Sequence, residues 1–227
     1  MKISNASLIS AIKAGEFEKI KSLLQENPNL IYTKTAEEET IFLLACYYRG
    51  KPEVLEFLKN LKTLNLYEVC AYGDLQGLQK LLSDNPYIAN SYSEDGFTPL
   101  GLACYFGHLE VATFLMAKGA AVNLPSKNKF VVRPIHSAVS AEHEDLVSIL
   151  LQHGADANAR QNKEITPLHQ SAHNGNFAIA KLLLKYGANP DAETGDGLTP
   201  FQYATESKAF HVAQLIQDAS RNTPTAC

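Results

Sequence analysis

A chain of 227 residues that is 45% hydrophobic and 19% charged has enough apolar material for one or two folded units, which sets disorder aside. Its net charge of -4 and pI near 6.0 argue against a surface built to grip phosphate backbones, which needs clustered Lys and Arg. No run reaches the roughly eighteen apolar residues of a membrane-spanning helix, and Met1 to Ile12 lack the apolar stretch of a signal peptide; the expectation is a soluble, cytoplasmic, monomeric protein with neither nucleic acid nor membrane as partner.

Along the chain, the first signal is Ala14-Gly15-Glu16 leading to Leu23-Leu24-Gln25-Glu26-Asn27-Pro28. It returns as Tyr72-Gly73-Asp74 leading to Leu81-Leu82-Ser83-Asp84-Asn85-Pro86, with the same glycine-to-proline offset. Between them, Thr40-Ile41-Phe42-Leu43-Leu44-Ala45-Cys46-Tyr47-Tyr48 parallels Thr98-Pro99-Leu100-Gly101-Leu102-Ala103-Cys104-Tyr105-Phe106, without the proline and with an extra residue near Gly50 to Pro52. The pattern then sharpens into Thr98-Pro99-Leu100, Arg133-Pro134-Ile135-His136, Thr166-Pro167-Leu168-His169 and Thr199-Pro200-Phe201, with prolines at steps of 35, 33 and 33 residues. The longer first step comes from an extended loop, Pro125 to Val132. Thr ahead of Pro supplies a capping oxygen, and Pro tolerates the first helical turn, so each block opens a helix. Gly119-Ala120, Gly154-Ala155 and Gly187-Ala188 follow at the same period and close one, since glycine accepts the left-handed residue that ends a helix. Gly107 and Gly175 interrupt each unit, and Val111, Phe114, Leu115 and Ile179, Leu182, Leu183 then recur at helical spacing.

The order Gly96-Phe97-Thr98-Pro99-Leu100, Ala103, Gly107-His108, Val111, Gly119-Ala120, Asn123 resembles the ankyrin repeat. The resemblance is strong from Ser93 to Ala219 and weaker before. It implies an all-α ankyrin-repeat solenoid of about seven helix-turn-helix units with β-hairpin-like loops. The repeat domain is expected over residues 1–220, degenerate through 1–93 and consensus-like in 94–220, with a flexible tail at 221–227. The helix from Ala209 to Ala219 reads as a polar cap because Gln214, Gln217 and Asp218 interrupt its apolar face.

The residues that invite chemistry have plainer readings. His108, His136 and His169 fall on repeat positions that the resemblance makes structural, and His143, His153, His173 and His211 lack metal-ligand spacing. Cys46, Cys70 and Cys104 share one column as small core fillers; with Cys227 they form no zinc or disulfide pattern. Neither a phosphate loop nor a nucleophile elbow is present, and Glu37-Glu38-Glu39 reads as a solvated hairpin tip. The expectation is a protein that is not an enzyme and holds no cofactor or metal.

Stacking consumes the apolar stripes, so free chemistry is confined to a concave face, the one that ankyrin-like proteins use for binding. Just before the inter-helix turns lie Tyr47, Tyr48, Tyr72, Tyr105 and Phe106. Hairpin tips add Glu94, Asp95, Phe97, Phe130, Val132, Lys163 and Ile165, and His173, Asn174 and Glu206 continue the face as a polar rim. Aromatic residues are enriched in binding hot spots, which makes this strip the expected core of the site; the alternative is that the rings plug gaps between imperfect units. The predicted role is a protein–protein interaction module, a scaffold or adaptor, with a stoichiometric inhibitor or immunity-type protein as the alternative.

Overall fold

The computed structural model describes residues 5–222, in which fourteen α-helices fall into seven consecutive pairs. The pairs are α1 (Asn5–Ala14) with α2 (Phe17–Glu26), α3 (Ile41–Tyr47) with α4 (Pro52–Lys59), α5 (Leu66–Tyr72) with α6 (Leu75–Asp84), and α7 (Pro99–Phe106) with α8 (Leu109–Ala117). They continue with α9 (Pro134–Ser140) and α10 (Glu144–Gln152), α11 (Pro167–Asn174) and α12 (Phe177–Lys185), and α13 (Pro200–Glu206) and α14 (Phe210–Asn222). Odd-numbered helices stack on one another as one row and even-numbered helices from α6 to α14 as a second, which is the two-layer solenoid expected from the repeat. Helix α14 runs to Asn222, so the first two residues assigned to the tail continue the helix. The rest of that tail, Cys227 included, and residues 1–4 lie outside the described residues.

The helix starts follow the capping chemistry. Thr40 accepts from Leu43 N at 3.2 Å, Thr98 from Gly101 N at 3.0 Å and Thr199 from Gln202 N at 3.4 Å. Their ends turn through a left-handed residue, which two positions restrict to glycine. At Gly73 (φ +86°) and Gly107 (φ +86°) an added Cβ would also fall 2.5 Å and 2.7 Å from the rings of His108 and His143. The loops before the odd helices are turns closed by single main-chain bonds, such as Ser93 N to Phe97 O at 2.9 Å and Gln161 N to Ile165 O at 3.0 Å. Lys34 and Thr40 add one isolated antiparallel bridge. Successive tips bond to each other, Lys127 N to Gly96 O (2.8 Å), Asn162 N to Phe130 O (3.0 Å) and Gly195 N to Lys163 O (2.9 Å), so the row of tips is a fixed wall.

Buried aliphatic side chains run the length of the stack, and polar ladders set the register between neighbours. Asn90, Asn123 and Asn158 each donate to the carbonyl of the next closing glycine (Gly119, Gly154, Gly187; 2.8–2.9 Å) and accept from Ala121, Asp156 and Asn189 N. His136 accepts from Arg133 N at Nδ1, which leaves the proton on Nε2 to donate to Ala159 O at 3.1 Å. His169 repeats this with Thr166 and Leu198 O, and His108 reaches Ala71 O at 2.9 Å. Burial lowers the pKa of all three histidines, that of His136 to about 4, so they act as neutral struts. In the third pair the place held by His136 and His169 is taken by Glu68, which is fully buried and held by Lys62 Nζ and Thr40 Oγ1, both at 2.7 Å, and by Asn65 N at 2.9 Å. Cys46, Cys70 and Cys104 are free and buried, and burial raises their thiol pKa values, that of Cys46 to about 12.

Candidate functional site

Equivalent turn bonds, Gly50 N to Ala45 O, Asp74 N to Val69 O and His108 N to Ala103 O, put Tyr47, Ala71 and Tyr105 in one column of three successive pairs. The methyl group of Ala71 leaves a gap, and Tyr47 fills it. Its ring centroid lies 6.1 Å from Tyr105, 5.3 Å from Phe106 and 6.4 Å from Phe97, and its Oη donates to Asp95 Oδ2 at 3.2 Å. Burial, followed by the charge of Asp95, pushes the Tyr47 phenol far above its ordinary range, so it remains a neutral donor. Residues 60–65 join α4 to α5 without a projecting tip, so the tip of the second pair meets that of the fourth: Lys34 pairs with both Glu94 and Glu38.

Three adjoining cavities follow the row of odd-numbered helices, the inner row. The first, about 910 Å³, is lined by Tyr47, Glu56, Tyr72, Tyr105, Phe106 and His143. The second, about 430 Å³, lies under the tips and is lined by Glu39, Tyr47, Phe97, Tyr105, Phe130, Val132, Gln161 and Gln170. The third, about 290 Å³, takes in Ser140, Ile165, His173, Asn174 and Tyr203. Tyr47 and Tyr105 border the first two, and Ser140 borders all three, so they read as one groove with two waists. Within it Tyr105 and Phe130 are 41% and 49% exposed and offer apolar contact area to a partner.

Not every residue assigned to this face from sequence lines the groove. Tyr48 stands apart with Lys13 Nζ 5.1 Å from its ring centroid, and Glu94 is engaged by Lys34. Asp95 acts through Tyr47, and Lys163 is exposed on the wall of tips. Tyr72 borders the first cavity while donating to Glu56 Oε2 at 2.7 Å under Lys59; that hydrogen bond and burial push its phenol up to about 12. Glu39, read as part of a solvated tip, is instead half-buried in the second cavity, and burial raises its carboxyl pKa with help from Asp95 and Glu37. The signal was available: Glu39 precedes Thr40 as Phe97 precedes Thr98 and Ile165 precedes Thr166. Gln161 and Gln170 were missed as well, and the Oε1 of each is buried without a hydrogen-bond partner.

Among the described residues, no three His, Cys, Asp or Glu side chains gather as metal ligands, and no helix is long and apolar enough to cross a membrane. The family profile described as ankyrin repeats (3 copies) matches residues 66–161 and 135–225, which takes in α5 to α14 and leaves out the first two helix pairs. The chain is 35% identical over 98 residues to the ankyrin repeat and KH domain-containing protein mask of Drosophila melanogaster, covering 42% of this chain and 2% of that protein. It is 29% identical over 176 residues to a Saccharomyces cerevisiae protein described as probable 26S proteasome regulatory subunit p28, covering 71% of this chain and 76% of that one.

Proposed function

The chain belongs to the ankyrin-repeat family, and from that premise we propose that it is a non-catalytic adaptor that holds a partner protein along the inner groove. The observation that carries this reading is the continuity of the three cavities around the exposed edges of Tyr105 and Phe130. Aromatic anchors flanked by a polar rim at His173 and Asn174 match the layout of protein interfaces. The yeast relative, named as a regulatory subunit of a larger assembly, supports a module that works by docking.

Replacing both Tyr105 and Phe130 by Ala should weaken a partner captured from the source cell by more than about tenfold, roughly 1.4 kcal/mol, with unchanged helical circular dichroism. Tyr87→Ala, at a side chain 90% exposed outside the groove, is the control and should leave affinity unaltered. Equal affinity for all three proteins would remove the groove from the account.

A further inference from the structure

Of the three cavities, the middle one has an unbalanced lining. Glu39 contributes a carboxylate that accepts from Thr35 Oγ1 at 3.1 Å through one oxygen and forms no ion pair among the described residues, and Tyr105 and Phe130 contribute partly exposed rings. Among the described residues, no Lys or Arg lines it. The nearby arginines are occupied elsewhere, Arg133 on Asn123 O and Arg160 O, and Arg160 on Glu193 O and Glu164. Lys129 lies 5.2 Å from the Phe130 ring centroid without lining the cavity. His136, which does line it, is neutral and has both ring nitrogens engaged. The carboxamide oxygens of Gln161 and Gln170, buried without a hydrogen-bond partner, add unused acceptor capacity to the lining.

Carboxylate, aromatic faces and unused carbonyl oxygens complement one kind of side chain, a planar cation rich in donors. We propose that the middle cavity is a subsite for an arginine side chain presented by the partner protein. The proposal rests on the groove reading above and adds its chemical specificity. Charge complementarity favours this occupant over an uncharged apolar one: Glu39 lines the cavity, and Glu37, exposed on the same tip with no ion pair among the described residues, adds a second negative charge beside it, whereas Glu38 and Glu94 share Lys34. Arginine fits better than lysine because its guanidinium can stack on Tyr105 or Phe130 while its edge donates to Glu39 and a glutamine oxygen together.

The test uses the whole chain, labelled with 15N, and two small probes: N-acetyl-arginine methylamide and N-acetyl-norleucine methylamide, which keeps the alkyl stem and lacks the guanidinium. The arginine probe should shift resonances of Glu39, Tyr105, Phe130, Gln161 and Gln170 saturably, and bind at least about fivefold more tightly than norleucine, the margin of a partly desolvated cation–π and ion-pair contact. Glu39→Gln should cut the arginine affinity at least about threefold and leave norleucine unchanged, and Phe130→Ala should do the same through loss of a ring. Equal binding of the two probes, shifts scattered over Glu37, Glu38 and Glu94 that Glu39→Gln does not alter, or no saturable shift at all would each overturn the subsite. Such a failure alongside a partner still lost on replacing Tyr105 and Phe130 would leave the groove standing and remove only its arginine preference.

Discussion

At single residues, burial turns polar groups into tests of the fold. The folded pKa of His136, about 4, lies below the ordinary 6.5, so the unfolded chain takes up the proton first as pH falls. Stability should be complete above about pH 6.5, decline by up to roughly 3 kcal/mol towards pH 4, and level off below that. Urea unfolding of His136→Gln should show a shallower pH slope; glutamine is a natural precedent, since Gln202 accepts from Thr199 N at 2.8 Å in the equivalent place. A slope equal to the parent's would mean that His136 is not a neutral strut. Lys62, 10% exposed, faces the wholly buried Glu68, so Lys62→Met should destabilise by roughly 3 kcal/mol because a buried charge loses its counterion. Unchanged urea midpoints would contradict that pairing. This network was not legible in the sequence. Glu68 stands where the last three units carry histidine or glutamine, and nothing in its neighbourhood announces that Lys62 pairs with it.

Between elements, the ladders carry the register, and only part of them could be read in advance. Asn123 belonged to the repeat pattern, but its two bonds into the next unit, to Gly154 O and from Asp156 N, both 2.9 Å, depend on stacking that one unit does not specify. Asn123→Ala should cost about 1–3 kcal/mol by leaving main-chain groups unpartnered. Hydrogen exchange should quicken at Asp156 more than at helices remote from the site; uniform acceleration would argue that the ladder does not couple neighbouring units. The extended loop predicted between Pro125 and Val132 is present, but its tip holds Val131 at φ 54°, an unfavourable setting for a β-branched residue. Val131→Asn, a residue suited to that conformation, should raise the thermal midpoint by relieving about 1 kcal/mol. A lower midpoint would show that Val131 contributes packing that outweighs its backbone.

Across the whole molecule, the period, the Thr-Pro starts and the glycine ends made the solenoid legible because each is a local requirement repeated at a fixed spacing. The groove was less legible because its shape comes from differences between units. Tyr47 reaches over Ala71 towards Tyr105 and Phe106, and the join at residues 60–65 lacks a tip, which together bring Glu39 under the wall of tips. Tyr47, Phe97 and Phe106 are thereby spent on packing, while Tyr105 and Phe130 retain open edges. The most direct measurement places a photocrosslinking phenylalanine analogue at position 105, 130 or 87 of the chain in its source cell. Discrete protein adducts from 105 and 130, with none from the highly exposed position 87, are predicted; adducts confined to position 87, or none from the two groove positions, would contradict the account.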